Sequence, residues 1–210
     1  MTPRLFFFSD GVRGSGDRPL TEVIPELVAG GVDAVVLREF QLSSAGWLEL
    51  VDALQPIRSA GARLLVSRRL DIARAGGVDG AHLAADSLGL REAREFLGPT
   101  ALLGYSAHDR AEAERAAAAG ANYVSLSPIY PTESKPGAAG QGLAWLAAAS
   151  QGLEIPVLGL GGVTPERTEG ILRSGAWGVA AVSALGAAKD VRRAASAFRT
   201  VIEETIPTCV

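Results

Sequence analysis

Three groups of residues in this chain have the types and spacing to do chemistry. The first is glycine-rich: "LGLGGVTPER" places Gly161 and Gly162 just before Val163, Thr164 and Pro165. Thr164 reads as a helix N-cap and Pro165 as the first helical residue, so bare backbone amides stand beside a helix start and can receive a phosphate. "AVSALG" adds Val182, Ser183 and their neighbouring amides. Either motif alone is as well explained by an ordinary turn and cap; the two together point to one phosphate site. The second group lies in "SPIYPTESKPGAAGQG" (127–142), with hydroxyls at Thr132 and Ser134 and a cation at Lys135. A loop of this length in a compact domain is usually functional, although a loop lysine is most often merely solvated. The third is His108 in "GYSAHD", with Asp109 placed to cap the next helix. Imidazole is the natural proton shuttle near neutral pH, whereas His82 reads as a structural histidine.

A fourth stretch, "LLVSRRLDIA" (64–73), runs an apolar strand into Ser67, Arg68 and Arg69. Two guanidiniums at a strand end need water, carboxylates or an anionic ligand.

These groups must be positioned by regular elements. Eight short apolar runs recur, at 4–10, 33–40, 63–69, 80–86, 102–107, 123–130, 155–162 and 177–184. Their continuous Val, Leu, Ile and Ala content suits parallel strands buried on both faces. Helical stretches fill the gaps: 21–31, 111–120 and 165–175 end in glycine, 143–152 is alanine-rich, and 189–205 closes the chain with an apolar face. The helix after the third strand is short. The phrases "AGGVDAVVL", "RAGGVDGAHL", "AAGANYVSL" and "RSGAWGVAAV" mark a repeated helix–Gly–strand joint. The pattern is that of an α/β protein, a single (β/α)8 TIM barrel over 1–210, with an open doubly wound sheet as the runner-up.

In a barrel the ligand site lies at the C-terminal strand ends. In order those ends carry Ser9-Asp10, Arg38-Glu39, Ser67-Arg68-Arg69, His82 to Asp86, Ser106 with His108, Ser127 to Tyr130, Gly159 to Gly162, and Ser183. Packing alone does not explain polar residues gathered at one end of apolar strands.

Composition narrows the partners. The net charge is −3, with no basic excess to draw a nucleic-acid backbone. No apolar run approaches the roughly 20 residues that span a bilayer, and "MTPRLFFFSD" is too short in its apolar part for a secretory signal. The one cysteine, Cys209, excludes an intramolecular disulfide framework. A cytoplasmic protein with a small-molecule ligand is expected, and apolar barrel helices are compatible with a homodimer.

"YSAHDRAEAERAAAAGANYVSLSPIYPTESKPG", followed by "PVLGLGGVTPE" and "GVAAVSAL", resembles the thiamine phosphate synthase/TenI superfamily. The resemblance runs in order over nearly the whole chain. It implies a thiazole phosphate held at Gly161, Gly162, Val182 and Ser183, and loop contacts from Thr132, Ser134 and Lys135. The superfamily contains synthases, which join a pyrimidine diphosphate to a thiazole phosphate with magnesium, and metal-free TenI-type thiazole tautomerases. This chain departs from the synthase pattern. Val36 and Phe40 replace a glutamine and a lysine after strand two, Ser67 and Arg68 replace Asn-Asp after strand three, and Ser87 stands for a metal aspartate unless Asp86 takes the role. The resemblance therefore implies a metal-independent tautomerase, an isomerase without cofactor, closer to TenI. In it His108 of the Ser106-x-His108 motif moves the proton, Arg38 and Lys135 balance charge, and Ser67 and Arg68 face the substrate, Arg68 at its carboxylate. Arg69 is structural, with Asp71 a partner for it. The alternatives are a magnesium-dependent thiamine phosphate synthase built on Asp86 and a non-catalytic regulator that binds thiazole phosphate.

Overall fold

The computed structural model describes residues 2–11, 18–132, 137 and 139–206. Its strands are β1 (Leu5–Phe8), β2 (Ala34–Leu37), β3 (Arg63–Ser67), β4 (Gly80–Leu83), β5 (Leu102–Ala107), β6 (Tyr123–Leu126), β7 (Val157–Leu160) and β8 (Gly178–Ala181). They close into a parallel barrel in sequence order, β8 pairing back onto β1. The helices are α1 (Leu20–Ala29), α2 (Ser44–Leu54), α3 (Pro56–Ser59), α4 (Leu70–Ala75), α5 (Leu90–Leu97), α6 (Arg110–Ala118), α7 (Gly142–Ser150), α8 (Pro165–Arg173), α9 (Ser183–Gly186) and α10 (Val191–Thr205). The (β/α)8 expectation is met, and the open sheet is excluded by the β1–β8 pairing.

Most strands stop short of the expected C-terminal boundary. β2 ends at Leu37, before Arg38 and Glu39, and β4 ends at Leu83, before Asp86. Polar residues at these ends leave the ladder and form the barrel mouth. Each strand alternates, because successive side chains point to opposite faces. Leu5, Phe7, Val35, Leu37, Leu64 and Val66 pack outward against the helices. Phe6, Phe8, Ala34, Val36, Leu65, Tyr123, Leu158 and Ala180 fill the interior. Truncating a buried interior ring such as Phe6 to alanine would cost about 3–5 kcal/mol.

The glycines that end three helices do what their position suggests: Gly31, Gly120 and Gly175 have φ of 110°, 94° and 95°. The repeated joint also has a function the sequence alone did not reveal. Asp33 accepts the Arg4 and Leu5 amides at 2.8 and 2.9 Å, Asp79 the Leu64 amide at 2.9 Å, and Asn122 the Leu103 amide at 2.7 Å. Each polar residue before a strand thus pins the start of the preceding strand. At the fourth joint Trp177 differs: its indole N–H donates to the Pro3 carbonyl at 3.1 Å, just before β1, the next strand round the barrel rather than the preceding one. Stability is built into the lower rim, leaving the upper rim for the ligand.

Candidate active site

The glycine motif forms a pocket. Gly161, Gly162, Val163, Val182, Ser183 and Thr132 line a cavity of about 110 Å³ that Arg38 also borders. Gly161 and Gly162 take φ of 98° and 62°. The site demands glycine: a Cβ on Gly161 would lie 2.8 Å from Pro128 Cα, and one on Gly162 2.6 Å from the Pro131 carbonyl oxygen. Among the described residues, the amides of Gly162, Val163, Ser183 and Ala184 meet no backbone carbonyl. Unclaimed N–H groups converging on one cavity form a nest for an anion. Pro165 opens α8 as expected, but Thr164, although at the N-cap, makes no side-chain cap bond; its hydroxyl instead helps hold the Glu166 carboxyl below its usual range. Ser134 and Lys135 lie outside the described residues, as does Cys209.

His108 stands at the end of β5, where Asp109 caps α6 by accepting the Glu112 amide at 2.7 Å. Its Nδ1 is 3.2 Å from the Ser127 carbonyl oxygen. A carbonyl only accepts, so Nδ1 carries a proton and donates it. The contact ties the β5 end to the Ser127–Pro128 turn, which borders the glycine-lined pocket.

His82 is buried inside the barrel. Its Nδ1 is 3.1 Å from the Tyr123 hydroxyl and its Nε2 2.9 Å from Ser106 Oγ. Burial, with Arg38 and Arg68 nearby, pushes the imidazole down to about 3, so it is neutral near pH 7. Burial likewise pushes the Tyr123 phenol up. Ser106 is therefore held from within the barrel core, a link that spacing along the chain did not reveal. The one available signal was the period-two alternation that puts Tyr123 and Ser125 on one face of β6.

The ends of β2, β3 and β4 bring charge together. Ser9 Oγ accepts the Arg38 amide at 2.8 Å and donates to Glu39, whose other oxygen accepts from Gln41 Nε2 at 2.8 Å. That network fixes where Arg38 leaves the strand. Burial, and secondarily Arg68, pull the Arg38 guanidinium below its ordinary value, while Asp10 and Glu39 pull it back. Among the described ion pairs none includes Arg38. Ser67 is only 4% exposed, next to His82 in the ladder. Arg69 pairs with Asp71 at 2.6 Å and with Ser44 at 2.9 Å, which makes it structural. Arg68 bonds Asp86 across the β3 and β4 ends. The Phe40 ring, 53% exposed, lies 5.2 Å from the Arg68 guanidinium carbon and 6.0 Å from that of Arg38.

Magnesium requires several hard oxygen ligands, and this donor set does not suit it. Asp86 is engaged by a guanidinium, and Arg68 would repel a cation at the place where a carboxylate was expected. Among the described residues no group of three or more His, Cys, Asp or Glu side chains could hold a metal. No helix among them is long and apolar enough to cross a membrane.

The model of the thiamine monophosphate synthase family matches residues 6–185. A thiamine-phosphate synthase from Moorella thermoacetica is 40% identical over 190 residues, 89% of this chain and 90% of that one. A putative thiamine-phosphate synthase from Geobacter sulfurreducens is 41% identical, covering 90% and 89%. Among solved structures, a thiamine phosphate pyrophosphorylase from Pyrococcus furiosus superposes with a TM-score of 0.87 at 28% identity, covering 97% of this chain and 96% of that chain.

These relatives overturn the expectation of a metal-independent isomerase. They are named as synthases or as a pyrophosphorylase, and each match covers 89% or more of both chains. The eroded carboxylates pointed the wrong way for a physical reason. Replacing a ligand carboxylate by Arg68 removes a metal site but leaves positive charge at the same strand end. That charge still suits an anion, so the replacement by itself does not distinguish the two activities. With the barrel, the glycine pocket and the matched sequence in agreement, this chain belongs to the thiamine monophosphate synthase family.

Proposed function

We propose that this protein is a thiamine-phosphate synthase, joining a thiazole phosphate to the pyrimidine of a pyrimidine diphosphate with departure of the diphosphate. The observation that carries the reading is the two-part mouth. An amide-lined pocket between β7 and β8 meets a pair of arginines from β2 and β3, with Arg38 bordering both. One anionic group on each of two substrates fits this division, and the named relatives support it.

In this reading Gly161, Gly162, Val182, Ser183 and Thr132 hold the thiazole phosphate. Arg38 and Arg68 face the diphosphate, where positive charge stabilises the leaving anion as it departs. Ser67 and Ser106 line the interior end of the mouth. His108 acts as a positioning residue: through the Ser127 carbonyl it holds the turn that borders the phosphate pocket. Holding both substrates in one cleft makes their encounter effectively intramolecular. The family implies magnesium in this reaction, and the donor set above does not suit it, so no step is assigned to a metal.

The test is direct. Purified protein is incubated with thiazole phosphate and hydroxymethylpyrimidine diphosphate, and thiamine phosphate is measured by chromatography. Formation of product with turnover supports the reading. Tight thiazole phosphate binding with no product at high enzyme concentration would refute it.

A further inference from the structure

We propose that Arg68, together with Arg38, binds the diphosphate of the pyrimidine substrate directly, guanidinium to phosphate, with no divalent cation between protein and anion. This rests on the synthase reading given above and names how its second anion is held.

Four observations carry it. Arg68 has φ 64°, the one non-glycine residue in the left-handed region among those described. A bulky side chain there is strained, and such strain gathers where a site requires a particular side-chain direction. The Phe40 ring collects two guanidiniums at 5.2 and 6.0 Å, placing like charges close together on the mouth. Arg38 is largely buried and none of the described ion pairs includes it, so its guanidinium N–H groups are not taken up by a direct carboxylate contact among the described residues, although Asp10 and Glu39 lie near enough to act on its charge. Asp86, the partner of Arg68, is itself 63% exposed, and exposed pairs are weak enough for a doubly charged anion to displace. A guanidinium fork matches two phosphate oxygens at once, which an ammonium cannot do. The same Arg68 that repels a metal ion supplies the charge a metal would bring.

The experiment is calorimetric titration of the full chain with inorganic pyrophosphate, in EDTA and again with excess magnesium. Wild type should bind in EDTA, and magnesium should not tighten binding. Arg68→Gly should weaken binding by about tenfold or more. It should also keep or raise the thermal midpoint, because glycine takes a positive φ without strain. Arg68→Asp, which puts a second carboxylate beside Asp86, should bind pyrophosphate only when magnesium is added. Binding by wild type that requires magnesium, or an Arg68→Gly protein that binds as wild type does, overturns the proposal. The two readings fail separately. Pyrophosphate binding in EDTA without any thiamine phosphate formation would remove the transferase reading and leave the arginine site. Product formation alongside magnesium-dependent pyrophosphate binding would do the reverse.

Discussion

His82 Nε2 lies 2.9 Å from Ser106 Oγ, while the opposite ring nitrogen lies 3.1 Å from the Tyr123 hydroxyl. The direction of this chain follows from burial. Tyr123 is fully buried, and His82 is the only hydrogen-bond partner its hydroxyl has among the described residues. A buried hydroxyl proton left without an acceptor is costly, so Tyr123 donates to Nδ1. The neutral ring then carries its proton on Nε2 and donates to Ser106. Ser106 is left with its own proton free to donate toward a bound substrate.

Ser106→Ala should therefore lower kcat/KM by about tenfold, the worth of one hydrogen bond to a charged or polarised ligand. Tyr123→Phe frees the His82 tautomer and should lower it by less. The double variant should be no worse than Ser106→Ala, because both changes act through one hydroxyl. Steady-state kinetics on the three variants decides this. Additive losses would mean that Tyr123 acts by packing alone.

His82 also makes stability depend on pH. Its ordinary value is 6.5 and in the fold it is about 3, so between these the unfolded chain binds a proton that the native state does not. Stability is complete above pH 6.5 and falls as pH drops toward 3, with a slope of up to about 1.4 kcal/mol per pH unit. Thermal or denaturant unfolding between pH 7 and 4 should show that slope in wild type. His82→Gln should be less stable at pH 7 and have a flatter dependence. An equal slope in the variant would assign the acid sensitivity to other groups.

Gly162→Ala tests the phosphate pocket. The substitution puts a Cβ 2.6 Å from a backbone oxygen at a φ of 62°, so the loop must move. A cost of about 1–3 kcal/mol is expected, part in stability and part in affinity. KM for thiazole phosphate should rise about tenfold, with KM for the pyrimidine diphosphate nearly unchanged. A rise in both would show that the two subsites are not separate.

Ser9→Ala removes the hydroxyl that accepts the Arg38 amide and donates to Glu39. It leaves a buried carboxylate short of one donor, at a cost of about 1–3 kcal/mol. Because Arg38 loses its anchor, pyrophosphate affinity should fall several-fold even though Ser9 is not placed on the anion. Ser9→Thr keeps the hydroxyl and should rescue affinity. Equal affinity in Ser9→Ala and wild type would show that Arg38 is held by the strand alone.

The sequence by itself determined the barrel and pointed to its mouth. Runs of β-branched and aliphatic residues at a regular spacing, each followed by an amphipathic stretch and a helix-ending glycine, admit few other arrangements. The glycine pair and Ser183 were legible because they are local: a positive φ and a bare amide are properties of a few adjacent residues. Tertiary structure decided what depends on neighbours far along the chain. Tyr123, His82 and Ser106 come from three strands and meet only when the barrel closes. Phe40, Arg38, Arg68 and Asp86 come from three strand ends and share one cluster of charge. In the sequence Arg68 was a missing metal ligand and implied a lost reaction. In the fold it is a cation held in a left-handed turn beside a second cation, and an electrostatic field depends on where charges sit together rather than on which residue is absent.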